Sequence, residues 1–267
     1  MRRPPAVAGQ FYYGTAARLK SQVEQYISRD MVREKVIGAI SPHAGLIYSG
    51  HVAGAVYSSI SFPETFILIG PNHTGQGAPL SLMASGEWEI PSGVLSIDED
   101  LAGAIAGELP ALSLDTRAHE FEHSIEVQLP FIACFSDDAR IIPITVMNAS
   151  VQDCKTIGEG IARAVTHSGR SVVIVASSDM SHYISDTLAR KLDNLALHEV
   201  LDLNPEGLYS TVVKQNISMC GFIPATIMLY ASKTLGAHAA RLVKYATSGE
   251  VSGDYEHVVG YAGVVVK

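Results

Sequence analysis

The sequence lacks both the long apolar runs of membrane proteins and the paired cysteines of disulfide-stabilised proteins. None of its apolar runs reaches about 18 residues, the length that crosses a bilayer as a helix, so we expect no membrane partner. The only cysteines are Cys134, Cys154 and Cys220, an odd number at spacings that match no disulfide framework. Such cysteine use is typical of a reducing compartment, and we therefore expect a cytoplasmic protein.

Clusters of basic residues are also absent. The chain has 19 Lys and Arg residues against 27 Asp and Glu residues, which gives a formal net charge of −8. This balance predicts no nucleic-acid partner. The first residues include two arginines but no apolar stretch behind them, so we expect no secretory leader. Nothing in the sequence indicates a particular oligomeric state.

The composition that remains is that of a well-packed globular protein. Hydrophobic residues make up 47% of the 267 positions and charged residues 17%, and a chain of this length can bury a core without disulfides. There is no repeat, low-complexity stretch or long linker. We therefore predict one domain that spans residues 1–267.

Short apolar runs rich in β-branched residues alternate with helical patterns along the chain. Five of these runs predict strands buried on both faces, at 36–40, 66–69, 141–146, 172–175 and 261–266. Helices are predicted at 16–27, 100–107, 157–166, 187–201 and 224–235. The alternating segment 80–97 predicts antiparallel hairpin strands. Together these elements predict an α/β/α sandwich around a mixed, largely parallel sheet.

Three of the predicted strands are each followed by a histidine within a few residues. These are His43, His73 and His182. In an open α/β sheet, the carboxyl ends of parallel strands form the crevice in which ligands bind. One loop histidine is usually only a solvated side chain, but three in equivalent positions favour a functional site. We expect them to converge if their strands are parallel neighbours.

The stretch HEFEH at 119–123 matches two short zinc-protease signatures. Both signatures need a helix, because only a helix brings His119 and His123 onto one face with a glutamate as the base. The residues that follow supply no further histidine or glycine at the spacing that a third ligand needs. We therefore reject the protease, and we expect His119 to be an exposed residue at a helix start.

Six short motifs in order along the chain resemble the Memo family, whose fold is that of the class III extradiol dioxygenases. They are R-x-P-A-V-A-G-x-F-Y at 3–12, P-H-A-G at 42–45, G-P-N-H at 70–73, E-H-S-I-E at 122–126, S-S-D-x-S-H at 177–182 and C-G at 220–221. The resemblance covers nearly the whole chain. In the E-H-S-I-E motif we expect Glu122 and His123 to lie at a helix start near the pocket, where one of them orients a ligand histidine.

The resemblance implies a metal site made of His43, His73 and Cys220. It also places His182 where the dioxygenases keep an acid/base histidine, with Asp179 beside it in the same pocket. Imidazoles suit iron, copper and zinc, whereas a thiolate favours copper(I) and zinc. The ring-cleaving dioxygenases have a carboxylate where this chain has the cysteine, so catechol cleavage does not carry over.

Three classes of function fit this pattern. The first is a non-heme iron or copper enzyme that performs redox chemistry on a small organic substrate. The second is a non-catalytic module that binds a peptide or an anionic ligand in the same pocket, since the family is associated with signalling in animals. The third is a zinc-dependent hydrolase. Metal content would discriminate among them.

Overall fold

The computed structural model describes residues 1–267, with two sheets and helices around the larger one. The strands are β1 (Arg2–Arg3), β2 (Gly38–Ser41), β3 (Thr65–Pro71), β4 (Leu80–Leu82), β5 (Glu87–Ile90), β6 (Gly93–Ser96), β7 (Ser113–Leu114), β8 (Arg140–Val146), β9 (Val172–Ser177), β10 (His182–Ile184), β11 (Ala240–Thr247) and β12 (Val258–Val266). The helices are α1 (Ala16–Glu24), α2 (Leu46–Ser59), α3 (Glu99–Glu108), α4 (Arg117–Glu120), α5 (Leu129–Phe135), α6 (Val151–Ser168), α7 (Asp186–Leu201), α8 (Pro205–Lys214), α9 (Phe222–Thr234) and α10 (Gly249–Ser252). A short 3₁₀ helix occupies Glu126–Gln128. None of the helices combines the length and the apolar character that crossing a lipid bilayer requires.

The larger sheet has four parallel strands at its centre. In spatial order its strands are β10, β12, β2, β9, β3, β8, β4 and β7, and β11 also pairs with β12. Neighbours from β2 to β8 run parallel, whereas β12 is antiparallel to β2 and β4 is antiparallel to β8. The predicted mixed α/β architecture is therefore confirmed, with four parallel strands at its centre and one further parallel pair, β4 and β7, at an edge.

Helices cover both faces of this sheet. Gly38 on β2 pairs with Val266 on β12, so the two residues share a face, and Gly263 lies on the opposite face because it is three positions from Val266. A Cβ at Gly38 would touch Met228 of α9, whereas one at Gly263 would touch Val56 of α2. Consequently α9 packs on one face and α2 on the other, as a three-layer sandwich requires.

The central strands are mostly apolar because both of their faces are covered. All seven residues of β3 are buried, as are six of the seven in β8 and five of the six in β9. Their buried isoleucine, leucine, valine and phenylalanine side chains belong to one hydrophobic core of 67 buried residues. The continuous apolar runs in the sequence therefore mark strands with two buried faces, as predicted.

Segment 80–97 divides between the two sheets. The β5–β6 pair forms the predicted antiparallel hairpin, and β1 adds to it in parallel to make a three-stranded sheet. β4, in contrast, joins the larger sheet beside β8. The prediction of a hairpin is thus correct for β5 and β6 and wrong for β4.

A buried ion pair ties the N-terminal segment to the middle of the chain. Arg3 Nη1 lies 2.6 Å from Glu126 Oε2, and both side chains are almost fully buried. The same carboxylate accepts hydrogen bonds from the Tyr12 hydroxyl and from the backbone N–H groups of Ala6 and Val7. Every lone-pair direction of the buried carboxylate is used, which is the condition under which a buried ion pair is tolerated.

The remaining donors of Arg3 bind the segment that carries the HEFEH stretch. Its Nε and Nη2 atoms donate to the carbonyl oxygens of His119 and Glu122, each over 2.7 Å. The guanidinium also lies 4.0 Å from the centre of the Trp88 ring. Arg3 therefore fixes the backbone from which Glu122 and its neighbour His123 extend.

Candidate metal centre

The carboxyl ends of three neighbouring parallel strands bring the predicted histidines to one edge of the sheet. β2, β9 and β3 are adjacent and parallel, and the chain leaves them just before His43, Asp179 and His73. The rings of His43 and His73 meet edge to face, with 5.2 Å between their centroids. His182 follows farther along the chain, at the start of β10, and lines the same cavity.

A third imidazole joins His43 and His73. One donor nitrogen from each of His43, His73 and His123 lies within 4.8 Å of the others. The rings of His73 and His123 are stacked, with centroids 4.6 Å apart, and His43 meets His123 edge to face. These three residues form a compact cluster that could bind a metal ion, and we call it the histidine cluster.

His123 reaches this cluster because only the first two residues of the HEFEH stretch are helical. α4 ends at Glu120, and residues 121–125 form irregular backbone and a turn before the 3₁₀ helix. His119 and His123 therefore do not share a helix face, and the rejection of the protease signature agrees with the structure. Sequence reasoning gave His123 only a supporting role, and its one signal was its place in the E-H-S-I-E motif.

Glu122 holds His73 in one orientation. Its Oε1 atom is 2.9 Å from His73 Nδ1 and also accepts hydrogen bonds from the backbone N–H groups of His123 and Ser124. Burial acts to raise the pKa of this carboxyl, but the bonds from His73 and the attraction of the two imidazoles outweigh burial and lower the pKa to about 2. Because an ionised carboxylate only accepts, His73 carries its proton on Nδ1 and leaves Nε2 free.

Two histidines of the cluster, His43 and His123, are held in the neutral form. Burial lowers the pKa of His43 well below its ordinary value, and the neighbouring imidazoles add to this effect. Burial also lowers the pKa of His123 to about 4, despite the opposing attraction of Glu122. Neutral imidazoles have a lone pair available near pH 7, which is the form that a metal ion needs.

Cys220 lies against His43 rather than inside the histidine cluster. Its Sγ atom is 3.3 Å from His43 Nε2 and accepts a hydrogen bond from the backbone N–H of Asp179. Burial raises the pKa of the thiol, and the nearby carboxyl of Asp179 raises it further. The adjacent Gly221 packs so closely on β9 that a Cβ there would lie 2.3 Å from the carbonyl oxygen of Ser177. This close packing brings Cys220 and Gly221 to the carboxyl end of β9.

Asp179 and His182 line the same cavity but have different partners. Asp179 Oδ1 accepts hydrogen bonds from the backbone N–H groups of His43 and Ala44, at 2.8 and 3.3 Å. His182 is held by Ser218, whose carbonyl oxygen is 2.8 Å from His182 Nδ1. Ser218, rather than Asp179, is the hydrogen-bond partner of His182. Burial raises the pKa of Asp179.

The cavity in front of the cluster has a volume of about 610 Å³. Its walls carry four aromatic side chains besides the histidines, and they include no lysine or arginine. The aromatic residues are Phe11, Tyr48, Tyr183 and Tyr261. Tyr183 has a φ of 58°, a left-handed conformation that costs about 1–3 kcal/mol for a bulky residue. The wall next to His182 is therefore held under backbone strain.

His119 is buried, which contradicts the expectation of an exposed helix-start residue. It packs edge to face on Trp88, its Nε2 lies 3.2 Å from Ser81 Oγ, and its Nδ1 has no hydrogen-bond partner. Burial lowers the pKa of His119 to about 4, and the charge of Arg3 adds to the effect. The imidazole belongs to the packing beneath the site.

This burial predicts a measurable dependence of stability on pH. The unfolded chain binds a proton at His119 below about pH 6.5, whereas the native protein does so only near pH 4, so stability is complete above pH 6.5 and falls with acidification. By pH 5 this one residue should cost about 2 kcal/mol. We expect His119→Gln to reduce the loss of unfolding free energy between pH 7 and pH 5 by that amount in urea titrations. If the two proteins lose the same unfolding free energy between pH 7 and pH 5, the pKa of His119 is not lowered in the native protein.

Comparisons with known proteins agree with this architecture. A family model described as "Memo-like protein" matches residues 3–265. A MEMO1 family protein of Methanosarcina barkeri is 42% identical over 99% of this chain and 100% of its own length, and one of Methanosarcina mazei is 40% identical over 99% of each. The crystal structure of an uncharacterized protein from Escherichia coli K12 has the same fold, with a TM-score of 0.60 and 12% identity over 86% of this chain and all of that one.

Proposed function

The chain belongs to the Memo family, and from this premise we propose that it is a non-heme iron or copper protein that performs redox chemistry on a small organic substrate. One observation carries the proposal most directly. Three imidazoles, two of them held neutral by burial, converge at the carboxyl edge of the sheet beside a cavity large enough for a small molecule. A metal ion bound there would supply the electron-transfer chemistry with oxygen that protein side chains lack.

We assign His43, His73 and Cys220 as the metal ligands, with His123 as an additional imidazole at the same place. Bonds of about 2.0–2.3 Å separate two ligands of a tetrahedral site by roughly 3.3–3.6 Å. The 3.3 Å between Cys220 Sγ and His43 Nε2 already fits this separation. The histidine cluster, with nitrogens up to 4.8 Å apart, would contract on binding.

Within this proposal the chain's own groups have distinct tasks. His182 is the acid/base residue, since its Nδ1–H donates to the Ser218 carbonyl and its Nε2 can therefore take up a proton. Asp179 holds the backbone around His43, and its raised pKa also makes it a candidate to hold a proton in the cavity. Glu122 orients His73 as the carboxylate partner of a ligand histidine.

The cavity wall argues against the non-catalytic module that binds anionic peptides. Recognition of phosphate or carboxylate groups ordinarily uses arginine or lysine, and no such residue lines the cavity. The buried side chains next to the histidines, Glu122 and Asp179, are carboxyl groups, which do not attract an anion. A neutral organic molecule is the more suitable ligand.

Metal content and oxygen consumption test the proposal. We expect about one equivalent of iron or copper in protein isolated without added metal, and oxygen uptake on addition of a substrate or a reductant. His182→Ala should keep the metal and lose substrate turnover, whereas the control His257→Ala, another histidine of the cavity wall, should keep both. Zinc without oxygen uptake would indicate the hydrolase instead, and absence of any metal would contradict the proposed enzyme.

A further inference from the structure

We propose that Ser177 is a positioning residue that fixes the tautomer of His43 and presents its Nε2 atom to the metal. Ser177 is the last residue of β9, is completely buried and lies behind the His43 ring. Its Oγ atom is 2.9 Å from His43 Nδ1. The inference rests on the proposed metal site, but its first consequence concerns the protein without metal.

The direction of the Ser177 hydroxyl hydrogen is fixed by its neighbours. A serine hydroxyl offers one hydrogen to donate and two lone pairs to accept. Ser177 Oγ is 2.6 Å from the carbonyl oxygen of Ser124, which can only accept, so the hydroxyl hydrogen must point there. Since that hydrogen is used, Ser177 can only accept from its other neighbours.

The side-chain amide of Gln128 donates one of the two hydrogen bonds that the Ser177 hydroxyl can accept, and the orientation of this amide is itself fixed. Its Nε2 donates to Ser177 Oγ over 2.8 Å and to the carbonyl oxygen of Pro42 over 2.9 Å. Its Oε1 accepts from the Tyr57 hydroxyl at 3.1 Å. A flipped amide would turn its oxygen towards the Pro42 carbonyl, so the amide nitrogen is the atom that faces Ser177.

The remaining lone pair of Ser177 therefore faces His43 Nδ1, which must carry the hydrogen. The Nε2 atom of the neutral ring is then the one with the lone pair, and it is the atom that lies 3.3 Å from Cys220 Sγ. His73 obtains the same tautomer from a carboxylate, whereas His43 obtains it from an uncharged hydroxyl. The two ligand histidines thus have the same tautomer, but the group that bonds Nδ1 is uncharged at His43 and ionised at His73.

The tautomer can be measured without any metal. In ¹⁵N NMR spectra of the imidazole groups in chelator-treated protein, we expect His43 to carry its hydrogen on Nδ1 near pH 7, and Ser177→Ala to give a mixture of tautomers. Ser41→Ala is the matched control, because Ser41 is paired with Ser177 on the neighbouring strand, is equally buried and has an Oγ atom without a partner. The control should leave the His43 signals unchanged.

The same variants are then titrated with cobalt(II) as a spectroscopic probe of the metal site. Loss of a residue that orients a ligand typically lowers metal affinity by roughly 10- to 100-fold, and we expect this loss for Ser177→Ala and none for Ser41→Ala.

A hydrogen on Nε2 of His43 in the unmodified protein would overturn the inference, even if Ser177→Ala does not fold. So would a Ser177→Ala variant with the original tautomer and affinity. If the unmodified protein binds no cobalt, the proposed function fails, while the NMR result still decides the role of Ser177.

Discussion

Replacement of Cys220 by serine is expected to lower metal affinity more than the roughly 10- to 100-fold that loss of an orienting partner costs. A neutral hydroxyl is a poor ligand for iron, copper or zinc, and the variant removes the thiol beside His43 that would bind the metal as a thiolate. His123→Ala should have the smaller effect, because His123 supplements the assigned ligands. Competition with a chromophoric chelator measures both affinities.

The pH dependence of binding provides an independent check of the same assignment. Burial raises the pKa of Cys220, so the metal must displace a proton from the thiol. Affinity should therefore fall about tenfold for each pH unit of acidification above the range in which the histidines titrate, and Cys220→Ser should lose this slope. If His123→Ala empties the site while Cys220→Ser retains metal, the ligands are the three histidines and the cysteine assignment is wrong.

Replacement of Glu126 by alanine is expected to destabilise the fold by about 3–5 kcal/mol, because it leaves the buried Arg3 guanidinium without its partner. Three further donors also lose their acceptor: the Tyr12 hydroxyl and two backbone N–H groups. Urea-induced unfolding, followed by circular dichroism, measures the change in unfolding free energy.

A neighbouring ion pair supplies the control for this measurement. Arg2 and Glu87 lie 2.9 Å apart on the surface, with both side chains well exposed. Glu87→Ala should cost at most about 1 kcal/mol, as is usual for a solvated pair. Similar losses for the two variants would mean that the Arg3–Glu126 pair is open to solvent in the native protein.

The sequence was sufficient to predict the parts of the fold in which local pattern and final environment agree. Runs such as 66–69 and 172–175 are apolar because both faces of a central strand are covered, so they predicted β3 and β9. The convergence of His43 and His73 followed from the parallel order of their strands. Family motifs, not spacing, pointed to Cys220 and Glu122.

The features that escaped prediction depend on contacts far apart in the chain. α2 has no apolar stripe because it is buried nearly all round, and Gly54 is needed where the backbone of Tyr26 approaches to 2.2 Å of a Cβ position. The burial of His119 depends on Arg3 and Trp88, and no local pattern reveals it. The position of His123 in the histidine cluster likewise depends on a distant residue, because Arg3 binds the backbone carbonyl of Glu122 next to it.

The position of β2 determines when the site can form during synthesis. β2, which precedes His43, lies between β9 and β12, and its pairing joins residues 38–40 to 264–266. Neither neighbour exists when β2 leaves the ribosome, and β12 is synthesised more than 200 residues after β2. Such non-local pairing is intrinsically slow to form. The crevice should therefore assemble only after β12 has been synthesised, so metal insertion would follow the synthesis of residues 258–266, and nascent chains that stall before residue 258 would leave an edge of β2 open to other chains.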